Sequence, residues 1–576
     1  MSKSVDMVTM NIIEQAMVSI CRQMGITLMK TSYSTIFNEA LDFTCGIASP
    51  EGDMISVAEF NPAHIGAMNI LMRSCLQEIS SEVDPGDVVV HNDPYRGGLH
   101  TPEHTFYKPI FVDGELMAFA VAIGHIAEIG GLVPGAFASE ATEIFHEGLR
   151  IPPVRIRRRG EDVADVWKLL LAPVRTPRQN YGDYRALISA VDLGERELTV
   201  LIKKYGKALF TRTVLDLQDY SEARMRAEFR DLPDGCYYFE DIMEDDGTAA
   251  GPFTIKVECF VQGDEIIVDF TGSSTQAVGP INATLGVTHS ATYNALFHLT
   301  DPSIPKNAGC FRPIKIIAPP GTIVNVDFPA PSVGGNTETH PRIAYAVIGA
   351  LSQCVGSRGF AADGGSHSNF VFGAIDERTG DYIACYDLMV AGWGGRSYAD
   401  GNSATNVING NNRMTPTEVF EVRYPWRVER YELIPDSGGS GKYRGGLGTT
   451  KTLLCTNPAI TVSFFGDRQK RGPWGLHGGT EGGKGKIEYM PAGEHSWQPM
   501  HLAFGKRSAS KFAATVVHRG DRIRITTPGA GGWGPPEERD PAMVAEDLHE
   551  GFVSPLSSKG IYGIPQEDKG IDNHAF

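Results

Sequence analysis

Between Asn92 and Gly131 the chain gathers side chains that bind divalent metals into glycine-rich turns. The stretch Asn92-Asp93-Pro94-Tyr95-Arg96-Gly97-Gly98-Leu99-His100-Thr101-Pro102-Glu103-His104 places three histidine or acidic side chains within five residues. Downstream, Gly124-His125-Ile126-Ala127-Glu128-Ile129-Gly130-Gly131 adds a histidine and a second glutamate. Six of the 16 histidines fall between His64 and His146. Zinc, manganese and iron take imidazole nitrogen and carboxylate oxygen, and a catalytic site keeps a position open for water. His100 and Glu103 stand three apart in a loop bent by Gly97-Gly98 and Pro102, and His125 would come from a neighbouring strand end. Upstream, Glu39 and Asp42 precede a strand and could reach the same rim. Glycine permits the positive φ and close backbone approach that such a rim needs. The plainer alternative is a set of turn residues and satisfied polar side chains. His104, next to Glu103, would point elsewhere; His64, at a helix start, and His91, at a strand end, read as structural.

The elements that must position these groups are legible around them. Apolar residues recur at helical spacing in Met10, Ile13, Met17, Ile20, Met24 and Leu28, which predicts a helix over Asp6 to Ser32. Phe43 to Ser49 and Met54 to Val57, joined by Glu51-Gly52-Asp53, read as a hairpin. A second helix is expected from His64 to about Ser80. The turn Asp84-Pro85-Gly86-Asp87 launches a short strand, Val88 to Val90, that delivers His91 to Asp93 at its end. Leu116 to Ile123 is another apolar strand, and it ends at His125.

Further on, Gln179 to Arg230 predicts long charged helices. After the turn Leu232-Pro233-Asp234-Gly235, strands are expected at Cys236 to Ile242, Phe253 to Phe260 and Glu265 to Phe270, with helical patterns at Thr288 to Leu299 and Thr339 to Cys354. From Phe360 to Pro536 glycine is frequent and strands are short; one short helix is expected near Pro541 to Glu550. The fold class is therefore α+β. The expected regions are a mixed α/β region with the metal site (1–175), a helical segment (176–231), an α+β domain (232–359), a mostly β glycine-rich domain (360–536) and a tail (537–576). No repeat of 20–50 residues is evident.

Composition excludes several classes. With 52 basic and 69 acidic residues the net charge is −17, which disfavours binding to nucleic acid or an anionic membrane. The only dense basic run, Arg155 to Arg159, reads as a solvated strand end. No apolar run reaches the ~18–20 residues that span a bilayer, and Met1 to Asp6 shows no signal-peptide pattern. The nine cysteines form no Cys-x-x-Cys pair, so a reducing, cytoplasmic setting with buried thiols is expected, and any metal would be held by nitrogen and oxygen.

Other motifs fail on inspection. Gly438-Gly439-Ser440-Gly441-Lys442-Tyr443 looks like a phosphate loop, but Asp436 stands where the first glycine belongs and Tyr443 where a hydroxyl would hold Mg²⁺. No dinucleotide-binding glycine motif and no serine nucleophile elbow is present, so the chain has no visible ATP or NAD site of its own. His367 and Arg396, in later glycine turns, read as structural.

The ordered motifs nevertheless resemble one family along nearly the whole chain. Asn92-Asp93-Pro94-Tyr95 with Gly97-Gly98 and His100, His125 with Gly130-Gly131, Glu147-Gly148-Leu149-Arg150-Ile151-Pro152-Pro153, Asp436-Ser437-Gly438-Gly439 with Tyr443-Arg444-Gly445-Gly446, Gly529 to Gly534 and Tyr562-Gly563 are similar to the hydantoinase B family. That family includes the partner subunits of ATP-dependent hydantoinases, 5-oxoprolinases and lactamases, with related subunits in acetone and acetophenone carboxylases. The resemblance implies a hetero-oligomer, such as a dimer of heterodimers, in which a hydantoinase A-like subunit binds ATP and Mg²⁺ and phosphorylates the substrate. It implies a metal, Zn²⁺ or Mn²⁺, on His100, Glu103 and His125, with Asp42 or Glu39 supplying another carboxylate. The family commonly has aspartate where Glu103 and Glu128 stand. The extra methylene moves the carboxylate by about a bond length, so Glu103 either reaches the metal differently or withdraws behind the ligands.

The implied chemistry is ring opening of a cyclic amide: a lactam, hydantoin or 5-oxoproline. Phosphorylating the amide oxygen removes the resonance that makes an amide a poor electrophile. A metal-bound water, with a pKa that falls toward ~7, then attacks, and Glu128 or Asp93 would orient or deprotonate it. Bicarbonate is a conceivable co-reactant, passing phosphate as carboxyphosphate. The alternatives are a subunit of an ATP-dependent ketone carboxylase and a metal-stabilised scaffold without chemistry of its own.

Overall fold

The first helix forms where the apolar spacing predicts it, over Met7–Thr31, with the Asp6 carboxylate accepting from the Thr9 amide at its start. This computed structural model describes residues 5–58, 60–79, 83–248 and 250–564. Seven strands follow: β1 (Phe43–Ala48), β2 (Met54–Val57), β3 (Val88–His91), β4 (Glu103–Val112), β5 (Glu115–His125), β6 (Val154–Arg158) and β7 (Glu161–Asp162). They form one antiparallel sheet in the order β2-β1-β5-β4-β3-β6-β7. The helices Met7–Thr31 and Pro177–Tyr205 pack on each other and on its strands. The helix Pro62–Ile79 packs on β1 and β2. It begins two residues before His64, and the predicted end at Ser80 lies outside the described residues.

The long helices expected downstream form, and one reading, that of Glu103, changes. The long helical stretch is two helices, Pro177–Tyr205 and Lys207–Arg230, broken at Gly206, whose φ of 84° an L side chain rarely adopts. Glu103 and His104 are not loop: they open β4, a ten-residue strand.

A second sheet of four strands carries the long helix His340–Leu351 against it. Every residue of that helix is buried, His340 and Arg342 included. It is entered through a π-helical turn, Gly335–Thr339. Two further sheets, of four and five strands, fill the region from Asn369 to Thr526 and enclose their own core of Phe370, Phe372, Trp426, Leu453, Ile523 and Ile525. The main apolar cluster runs from Met10 to Phe465, and so crosses positions 175, 232 and 360 without a break. The tail holds two short helices, Pro541–His549 and Pro555–Ile561; residues 565–576 of it lie outside the described part.

Among the described residues no helix is long and apolar enough to cross a membrane. All nine cysteines are free thiols; seven are buried, Cys354 is half-buried and Cys236 is exposed. Deep in the core, Asp467 accepts from Arg342 and from Lys511, each at 3.0 Å, with all three side chains fully buried. Arg468 pairs with Asp241 beside them at 2.8 Å.

Candidate metal centre

The register of one hairpin builds the core of the site. In the β4–β5 ladder Glu103 stands directly opposite His125, so the first residue of one strand and the last of the other share a face. His100 reaches the same point from the loop before β4. One ligand atom from each of His100, Glu103 and His125 lies within 4.8 Å of the other two, and all three residues are buried.

The loop that carries His100 is fixed by its own residues. Asn92 accepts from the Ile151 amide and donates to the Thr101 and Leu149 carbonyls. Gly97 adopts φ 85°, and a Cβ there would stand 2.9 Å from the Leu71 backbone, so only glycine fits. Glu147 ties the loop to a distant segment by accepting from Thr101 and from the Ser332 and Val333 amides. Burial raises its carboxyl to about 7 against these hydrogen bonds.

Each candidate ligand is oriented by a partner behind it. His100 Nδ1 lies 2.7 Å from the Val333 carbonyl, which can only accept. A ring proton therefore sits on Nδ1, and Nε2 faces Glu103 without a hydrogen-bond partner among the described residues. Glu103 Oε1 meets His64 Nε2 at 2.9 Å, the Asn336 amide at 2.8 Å and His100 Nε2 at 3.4 Å, while Oε2 has no partner. Burial works against the Glu103 charge; His64 and His100 overcome it and hold the carboxyl below its usual range. The His125 ring stacks on Tyr386 at 4.3 Å and on Phe137 at 6.2 Å. Its Nε2 has no partner, and burial with the nearby His100 keeps the imidazole neutral. Its Nδ1 lies 3.8 Å from Asp42, whose other oxygen accepts from Asn61 at 2.5 Å. Three buried ligand atoms without a hydrogen-bond partner among the described residues, on two imidazoles and one carboxylate, are a donor set that suits a divalent metal bound through nitrogen and oxygen.

The remaining candidates lie apart from this group. Glu39 is the C-cap of the short helix Thr35–Asn38, half-buried and outside the cluster. Asp93 caps the turn Pro94–Arg96, accepting from the Tyr95 amide and pairing with Arg96. Glu128 accepts from the Gly130 and Gly135 amides and pairs with Arg175 at 3.0 Å. His104 turns away to Asn92 and stacks on Tyr184. The sequence reading took His64 and His367 as structural and did not single out Asn336, which joins His64 on Glu103, or Tyr386. The Gly334-Gly335 pair before Asn336 and the Gly364-Gly365 pair before His367 match the double glycines of the other site turns.

Comparison with known proteins shows what the whole chain is similar to. A family model described as Hydantoinase B/oxoprolinase matches residues 6–536. The beta subunit of a caprolactamase from Pseudomonas jessenii is 32% identical over 572 residues, covering 98% of this chain and 97% of that one. The crystal structure of the ATP-dependent caprolactamase from the same organism matches with a TM-score of 0.90 at 30% identity, over 99% of this chain and 98% of that one. A nucleotide-free acetone carboxylase shares the fold, with a TM-score of 0.85 at 19% identity over 96% of this chain and 79% of that one.

Proposed function

Because the chain belongs to the hydantoinase B/oxoprolinase family, we propose that it is the metal-binding subunit of an ATP-dependent cyclic amide hydrolase. The observation that carries this reading is the trio of buried, unpartnered ligand atoms on His100, Glu103 and His125. Those residues would hold Zn²⁺ or Mn²⁺, with Asp42 beside His125 as a further carboxylate. When bound, such a metal supplies a water acidic enough to ionise near neutral pH.

The chain's own residues prepare that chemistry. Val333 fixes the His100 tautomer, and His64 and Asn336 keep Glu103 ionised and aimed. Tyr386 and Phe137 exclude water from one face of His125. Asp93 and Glu128 hold the loops on either side through the turns they organise. A hydantoinase A-like partner binds ATP and phosphorylates the amide oxygen; the activated ring then opens at this site.

The test is a purified complex with its partner, given ATP and a lactam, hydantoin or 5-oxoproline. ADP and phosphate are expected in proportion to ring-opened product. Stable incorporation of labelled bicarbonate into a ketone would instead establish carboxylation, and turnover by a complex freed of metal would overturn the site. A second outcome concerns the residue behind the ligands. His64→Ala is expected to weaken metal binding by roughly 10–100-fold, the usual effect of removing a group that orients a ligand. Competition against a chelator measures it, and an unchanged affinity would remove His64 from the site.

A further inference from the structure

Beyond the ligands, a run of hydrogen bonds leads from Glu103 to His367 and fixes the protonation of each member. Asn336 gives its side-chain Nδ2 to the Glu103 carboxylate at 2.8 Å, which leaves its Oδ1 free. The Asn336 backbone carbonyl accepts from Asn409 Nδ2 at 2.8 Å. With that amide nitrogen committed, Asn409 turns its Oδ1 to His367 Nε2 at 3.0 Å, and an amide oxygen only accepts. His367 Nε2 therefore carries the ring proton. Burial holds the imidazole neutral, with its pKa pushed down to about 4, so Nδ1 is a bare lone pair. His367 also lies close enough to His100 and Glu103 for their charges to bias it.

Both free atoms of this run, His367 Nδ1 and Asn336 Oδ1, are buried and have no partner. Ordered water, an ion or a bound molecule can complete the bonding of such atoms, and these two stand next to the ligand group, Asn336 on Glu103 itself and His367 within electrostatic reach of His100 and Glu103. A wall of acceptors beside the ligand group calls for a donor from the bound molecule. In a cyclic amide the one donor attached to the reacting group is the ring N–H.

We propose that His367 Nδ1 accepts the ring N–H of the cyclic amide, which makes His367 a specificity-determining residue for a ring nitrogen that bears hydrogen. The assignment rests on the functional reading above. It explains why the Asn336–Asn409–His367 run is built to hold one tautomer, since the other would present a second N–H to the substrate's own.

The experiment uses the complex with its ATP-binding partner and three probes: hydantoin, 5-oxoproline and caprolactam. For each ring the wild-type complex opens, the analogue with oxygen in place of N–H is measured as a competitive inhibitor. The wild type is expected to prefer the N–H ring by roughly 100-fold or more, because a site built to accept a hydrogen rejects a lone pair. His367→Phe keeps a ring but removes the acceptor, and the preference is expected to shrink at least tenfold. His367→Asn places an oxygen near the Nδ1 position and is expected to retain it. Metal content stays at the wild-type level in both. A full preference in His367→Phe, a lost one in His367→Asn, or metal loss in either variant would overturn the assignment and leave the functional reading standing. Failure of the wild-type complex to open any of the three rings would overturn that reading, and the assignment with it.

Discussion

Replacing His100 by alanine is expected to abolish both metal binding and ring opening while the complex with the ATP-binding partner still assembles. The loss of turnover should reach roughly a thousandfold or more, because the water that the metal acidifies toward ~7 reverts to a pKa near ~15.7. The substitution removes one of three convergent ligand atoms and also frees the Val333 carbonyl, which held the ring in its tautomer. Neither change reaches the exterior, since His100 is fully buried. Elemental analysis of the purified complex, size-exclusion chromatography and a coupled ADP assay read the three consequences separately. A His100→Ala complex that is active without metal would sink the site.

Asp467→Ala should produce the largest loss of stability. Arg342 and Lys511 each bond this carboxylate at 3.0 Å, and none of the three is exposed to water. Removing one partner of a buried pair costs about 3–5 kcal/mol, because the charge left behind can be neither hydrated nor repaired. Here two cations would be stranded, and the adjacent Arg468, already depressed by burial and by Arg342, would feel both. The urea midpoint is expected to fall by the amount that this energy and an unchanged slope dictate. A loss below about 1 kcal/mol would mean that neighbouring carboxylates absorb the charge.

What could be read in advance followed period and punctuation. The 3.6-residue spacing from Met10 to Leu28 and the turn at Glu51-Gly52-Asp53 each encode one local element, and each formed. The glycine turns from Asn92 to Gly131 drew attention to His100, Glu103 and His125, and their side chains do converge. The partners were illegible for a physical reason. His64 reads as a helix-start residue, and nothing within its own turn foretells a bond to a strand 39 residues later. Asn336, Asn409 and His367 belong to separate segments that meet only when the sheets pack. The start of β4 was hidden for a related reason. Every position of that strand is buried or nearly so, which erases the alternation that marks a half-exposed strand.

Two of the bonds that hold His100 and Glu103 come from Val333 and Asn336, each 233 residues further along the chain. During synthesis the N-terminal part leaves the ribosome first. The β4–β5 hairpin, with His100 in the loop before it, is therefore made well before the residues that fix the His100 tautomer and complete the bonding of Glu103. The turn at Gly335–Thr339, which carries Asn336, completes the bonding around Glu103 only once that later segment has packed against the hairpin.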